Sequence, residues 1–403
     1  MKFVLFSPST PPLVGGLENV CLWLARQLRD DGHTVSIVGR FATTRPGLRG
    51  RFLQAEQPRR FILDGIPVSI LPPLAGGRAG GAATYALMQS PATLPLACRL
   101  QAKSLGAAVA AHCQGADAVH YFGTGLDMLG FMAETAARQA GATFSVEPAI
   151  HIGRWGDRWI DAALYHRADA VLAYSACEAE TILGLGVSPD RLHRVHCRCD
   201  LGDGGDAAAF RSKHAIRGPI VLFLGRKTEA KGVRRLLAAW PAVRRHVPDA
   251  SVVVMGPSEG KCLIGTGEGI VDIDDADEAE KQNALAACDL LCVPSDGESF
   301  GLVYYEAWNY AKPVVGLDQP ALRETVGASG GGLLVQPAPQ AIGAAIARLL
   351  GDAARREVMG RRGHRFARRH LEHDTYRDYR EAFNAAARNG GGRRQPKSTG
   401  AKA

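Results

Sequence analysis

Leu290-Leu291-Cys292-Val293-Pro294-Ser295-Asp296-Gly297-Glu298-Ser299-Phe300-Gly301-Leu302-Val303-Tyr304-Tyr305-Glu306-Ala307 decides how the rest of this chain is read. A short apolar run, suited to a buried strand, ends at Pro294. A polar loop follows, and the pattern predicts a helix opening near Gly301. Helix N-termini offer backbone N–H groups without intrahelical partners and a partial positive charge, so they are natural seats for phosphate. Glu298 precedes that seat, and Glu306 lies about a turn and a half inside the helix. A phosphate seat flanked by two hydrogen-bond acceptors suits a ligand with phosphates in its middle and hydroxyl-rich sugars at both ends. That is the chemistry of a nucleotide-sugar.

Outward from this stretch, short β-like runs alternate with helical periodicity, which predicts parallel sheets covered by helices. In the first half, strand Lys2–Phe6 leads through Pro11–Gly16 into a helix with Leu17, Cys21, Leu24 and Leu28 on one face. A strand follows at Thr34–Val38, Asp64-Gly65 marks a hairpin, and further strands fall at Ala118–Tyr121, Thr143–Val146 and Ala170–Ala173. Ser175 and Glu178 are spaced as a capping box. Gly76–Gly115 has no readable pattern. The Gly/Asp-rich segment around Cys199–Ala208 marks a domain boundary, after which strands at Ile220–Leu224, Ser251–Met255 and Leu290–Val293 restart the alternation. The expected organisation is residues 1–200, residues 201–388, and a disordered basic tail at residues 389–403: two similar α/β halves facing a cleft, with the C-terminal helix returning to the first half.

The chain has 403 residues, 46% hydrophobic and 22% charged, which allows two ordinary cores. No uninterrupted apolar segment is long enough to span a bilayer, and the first residues read as a strand, not a secretory signal. Nine cysteines without a Cys-x-x-Cys pair fit reduced thiols in a cytoplasm. The net charge of +8 favours anionic ligands or surfaces. Arg49, Arg51, Arg59 and Arg60, interleaved with apolar residues, leave peripheral contact with an anionic membrane open, at the inner face of a cell membrane. Nucleic acid is not an expected partner, since no helix-turn-helix, zinc finger or stacking motif is present.

Open α/β sheets bind ligands at the carboxyl ends of their strands. Arg226, after the strand Ile220–Leu224, and Lys231, before the next helix, are therefore candidates to stabilise charge developing on a leaving diphosphate. Gly15-Gly16 sits at a strand-to-helix turn and permits close backbone approach, though no G-x-G-x-x-G follows. His151 follows the strand ending near Val146. Asp272-Ile273-Asp274 has the look of an Asp-x-Asp metal motif, but Asp275 and Asp277 beside it make N-capping of the next helix the better reading. His193, His196, Cys197 and Cys199 match no standard zinc spacing.

Together these stretches resemble family 4 glycosyltransferases of the GT-B fold over about residues 1–385. The most specific part is residues 294–307, similar to that family's E-x7-E region. Gly225-Arg226 with Lys231-Gly232, Arg167–Val171 with Ser175, Lys312–Val315 and Gly331–Val335 add support in the right order. The resemblance implies that Arg226 and Lys231 hold the donor diphosphate, with backbone N–H groups near Phe300, Gly301, Leu302 and Val303. It implies that Glu306 binds the ribose, Glu298 the donor sugar near the transferring centre, Gly15 and Gly16 the diphosphate, and His151 the donor sugar. The implied reaction is retaining transfer from a UDP- or GDP-sugar to a glycan, lipid or small-metabolite hydroxyl. It needs no metal and no cofactor, and proceeds by front-face displacement. A GT-B sugar-nucleotide epimerase and a non-catalytic nucleotide-sugar-binding protein are the alternatives. One departure stands out: Cys197-Arg198-Cys199-Asp200 replaces the family's usual Asn-Gly-Val-Asp turn.

Overall fold

A computed structural model describes residues 1–13, 15–198, 201–202, 204–258, 264 and 267–391. The chain forms two compact units, Met1–His196 with the segment from Asp374 onward, and Cys197–His373. Both are built on a mainly parallel sheet covered by helices.

The first unit carries β1 (Lys2–Ser9), β2 (Thr34–Phe41), β3 (Arg59–Leu63), β4 (Ile66–Ile70), β5 (Ala118–Phe122), β6 (Thr143–Glu147), β7 (Ala170–Ala173) and β8 (Leu192–Arg194). Their order across the sheet is β3-β4-β2-β1-β5-β6-β7-β8, with β3 antiparallel to β4 and the other pairs parallel. Phe3, Val4, Leu5 and Phe6 are all buried, as expected of a central strand covered on both faces. The Asp64-Gly65 hairpin forms, pairing Leu63 with Ile66.

The second unit orders β11 (Ile270–Ile273), β10 (Ser251–Met255), β9 (Ile220–Leu224), β12 (Leu290–Cys292), β13 (Val314–Leu317) and β14 (Gly332–Val335) side by side. All of these pairs are parallel. Every strand therefore ends at the same edge, the edge where β9 delivers Arg226 and β12 delivers Ser295.

Several sequence expectations change. Gly76–Gly115 is mostly helical, through Gly77–Leu87, Leu94–Gln101 and Ala107–Cys113. Glycine and proline hid its periodicity. The second unit does not run to residue 388: its last residue is His373, and the helix Thr375–Gly391 belongs to the first unit. Residues 389–391 are part of that helix and not of a tail, and Asn389 donates to the Asp169 carbonyl at 3.1 Å. The later tail residues lie outside the described residues, as do Cys199 and Asp200. Ser175 does cap its helix, accepting from the Glu178 N–H at 3.3 Å. The Glu178 carboxylate, however, binds the N–H groups of Tyr174 and Ile150, so the box is only half formed. Arg51 pairs with Asp127 and Arg59 lies on β3 beside Glu56, so these two side chains have partners within the unit. Among the described residues no helix is long and apolar enough to cross a membrane.

The last helix is fixed by a buried polar network. Glu147, fully buried at the end of β6, accepts from Tyr379 Oη at 3.0 Å and from Tyr174 Oη, and meets His120 Nε2 at 3.1 Å. A buried carboxylate stripped of one donor is costly. Tyr379→Phe should therefore lower stability by about 1–2 kcal/mol, read as a fall in the urea midpoint at unchanged slope. An unchanged midpoint would remove Tyr379 from the docking of this helix.

Candidate functional site

β9 and β12 are neighbours, and each is followed by a loop leading into a helix. The helices are Val233–His246, whose N-cap is Gly232, and Leu302–Asn309, whose N-cap is Gly301. Both glycines are left-handed, at φ 76° and φ 86°. A Cβ on Gly232 would also collide with the Pro294 carbonyl oxygen, so the first loop packs directly on the second. Two further bonds join these loops. The Asp296 N–H donates to the Ala230 carbonyl at 2.8 Å, and Arg235 bridges the Pro294 carbonyl (2.8 Å) and the Asp296 carboxylate (2.7 Å).

This packing carries Lys231 onto Glu298. Lys231 Nζ lies 2.6 Å from Glu298 Oε1, and Ser295 Oγ donates to the same oxygen at 2.6 Å. The Glu298 N–H donates to Gln319 Oε1 at 3.0 Å, and Gln319 Nε2 donates to the Ser295 carbonyl at 3.2 Å. Glu298 is 7% exposed and Ser295 fully buried, so the carboxylate is held in a low-dielectric setting from both its head group and its backbone. An ammonium has three donors, and one on Glu298 leaves capacity for anionic oxygens.

Arg226 follows Gly225 at the end of β9 and is half-buried. Glu306, half-buried on the helix Leu302–Asn309, is paired with Lys281 at 2.9 Å, and Lys281 also meets Glu278 at 2.9 Å. Burial pulls the Lys281 pKa down, but the Glu306 and Glu278 carboxylates outweigh it and the pKa ends above its ordinary value. Phe300 is buried and stacks on Tyr305 with ring centres 4.7 Å apart. Leu302 and Val303 supply the first two amides of the glycine-capped helix.

Gly15, Gly16 and His151 lie in the first unit. Gly15 caps the helix Gly16–Asp30 in extended backbone, so no left-handed turn is needed there. His151 bridges to Trp155 through paired backbone bonds of 3.1 Å and stacks on its ring, centres 3.9 Å apart. Of the zinc-like residues, His196 Nδ1 lies 2.9 Å from Asp378, His193 is a β8 residue, and Cys199 lies outside the described residues.

The Asp-x-Asp reading needs correction. Asp277 alone among these acids caps the helix Glu278–Ala287, accepting from the Glu280 N–H at 2.8 Å. Asp272 and Asp274 instead hold Lys227. Sequence reasoning missed Lys227, Lys281, Ser295 and Gln319. Only Ser295, three residues before Glu298, carried a local signal.

Residues 15–198 match the glycosyl transferase 4-like domain, and residues 218–352 match glycosyl transferases group 1. The chain belongs to the family 4 glycosyltransferases, of the GT-B type. It is 30% identical over 247 residues to a D-inositol 3-phosphate glycosyltransferase of Segniliparus rotundus, covering 57% of this chain and 55% of that protein. It is 29% identical over 331 residues to a phosphatidyl-myo-inositol mannosyltransferase of Propionibacterium freudenreichii subsp. shermanii, covering 78% and 76%. A Mycobacterium leprae protein of that second name is 34% identical, with 36% and 40% covered. The match thus spans about half the length of two of these three relatives. Among solved structures, sucrose-phosphate synthase from Thermosynechococcus elongatus superposes with a TM-score of 0.71 at 20% identity, covering 95% of this chain and 99% of that one. Anabaena HepE in complex with UDP and glucose gives 0.70 at 17% identity, covering 96% and 100%. Both establish the fold.

Gly232→Ala places a Cβ in a left-handed residue and against a carbonyl oxygen. It should cost roughly 2 kcal/mol or more, seen as a lower unfolding midpoint. A midpoint equal to the parent's would show that the two loops are not locked through this contact.

Proposed function

We propose that this chain is a retaining glycosyltransferase that moves a sugar from a UDP- or GDP-sugar to an acceptor hydroxyl without a metal ion. The observation that carries the reading is the Lys231–Glu298 pair, set beside the glycine-capped start of the helix Leu302–Asn309. Lys231 and Arg226 are the cations for the donor diphosphate, with the first amides of that helix as further donors. Glu306 is the acceptor for the ribose hydroxyls, and Lys281 fixes its rotamer. Glu298, steadied by Ser295 and Gln319, faces the transferring sugar. His151 is assigned to the donor sugar by the same family resemblance. As the sugar departs, negative charge builds on the diphosphate. Fixed cations and amides stabilise it with no reorganisation at that moment, and the departing phosphate oxygen takes the acceptor's proton. Family membership and the UDP bound to a protein of the same fold support this reading.

The test is release of nucleoside diphosphate from UDP- and GDP-sugars, with and without EDTA. We expect turnover unaffected by EDTA. Lys231→Ala should lower kcat/KM by about 30- to 1000-fold, equal to about 2–4 kcal/mol in the barrier. Glu306→Ala should weaken donor binding by about tenfold or more. An isomerised donor without release would make the chain an epimerase. Binding without turnover would make it a binding protein. Activity abolished by EDTA would contradict the metal-free mechanism.

A further inference from the structure

Lys227 is fully buried, one residue from Arg226 and four from Lys231. A buried ammonium is tolerated only when paired and hydrogen-bonded. Here the partners come from a different strand: Asp272 within β11 and Asp274 just past it, the latter at 2.8 Å. Between β9 and β11 lies β10, and Lys227 is tied to that neighbour too. Its N–H donates to the Pro257 carbonyl at 2.9 Å, and it forms an isolated bridge with Ser258, whose Oγ donates to Asp274 at 2.7 Å. Lys227 and Ser258 together hold the Asp274 carboxyl below its usual range. One lysine thus staples the carboxyl ends of three adjacent strands, β9, β10 and β11. The Thr228 N–H donates to the Arg226 carbonyl at 2.9 Å, closing a tight turn centred on Lys227, so the residue that is clamped is also the middle of the turn that follows Arg226.

We propose that Lys227 is a positioning residue for the donor site: its ammonium, clamped by Asp272 and Asp274, fixes the loop that presents Arg226 and Lys231. Its link to the donor rests on the function proposed above, whereas the clamp itself does not. The two carboxylates, spaced as an Asp-x-Asp motif, already have a cation in the lysine side chain.

The deciding experiment is hydrogen exchange of the full chain, without ligand, comparing the parent with Lys227→Met. The expected result is at least tenfold faster exchange in residues 225–232, with β13 and β14 unchanged. Unchanged exchange in residues 225–232 overturns the proposal. So does equal acceleration across the whole second unit, which would mark a purely structural lysine. Should Lys227→Met fail to fold, Asp274→Asn replaces it, because Asp274 is 56% exposed and its loss leaves Asp272 on the lysine. The same local acceleration is then expected, smaller in size. Affinity for UDP and GDP, measured calorimetrically on the same proteins, should fall at least tenfold with Lys227→Met. A parent that binds neither nucleotide would defeat the donor assignment, while the exchange result would still decide the clamp. A parent that binds while the variant binds equally well would sever Lys227 from the donor site.

Discussion

The contact on which the second unit's site depends is the ion pair between Lys231 and Glu298. A carboxylate this deeply buried loses most of its hydration, a penalty of several kcal/mol unless a cation and further donors replace the lost water. Lys231 and Ser295 meet that need on one oxygen. The loops must therefore approach closely enough for side chains 67 residues apart to touch. Gly232 permits the approach, Arg235 and Asp296 tie it, and Gln319 anchors the backbone beneath Glu298. The same geometry that satisfies the buried acid leaves an ammonium beside two helix starts.

Charge at the carboxyl edge of this sheet is organised in pairs. Lys231 answers Glu298, Lys281 answers Glu306 and Glu278, and Lys227 answers Asp272 and Asp274. Apart from Lys281 with Glu278, which share the helix Glu278–Ala287, each pair fixes an acid on one element by a cation from another. Side chains so restrained lose little further freedom when a ligand arrives, and a diphosphate in the proposed site would meet donors already in place.

Much of this was legible in the sequence. The apolar run before Pro294, the glycine at 301 and the two glutamates gave strand, turn, helix start and acceptors, because each is a local signal with its own mechanism. Alternation of strands and helices gave two parallel sheets. What escaped were contacts between segments distant in sequence. Nothing near Lys227 reveals Asp272, because β9 and β11 are brought within reach only through β10, and nothing near Glu306 reveals Lys281, which lies on the helix before β12. The Asp run misled for a related reason: several acids before a helix look alike in sequence, and only the fold decides that Asp277 caps while Asp272 and Asp274 bind a lysine. The last helix returns to the first unit as its pattern suggests, but the second unit ends at His373, fifteen residues before the expected limit at 388. The signal that could have moved it is Asp374, whose carboxylate accepts from the Arg377 N–H at 3.0 Å and so opens a new helix.

The most direct measurement is a crystal structure of the protein with UDP or GDP bound. The expected result is the diphosphate within hydrogen-bonding distance of Lys231 Nζ and of the amides of Leu302 or Val303, with the ribose hydroxyls on Glu306. A nucleotide seated away from the carboxyl edge of the β9–β12 pair, with Lys231 untouched on Glu298, would contradict it.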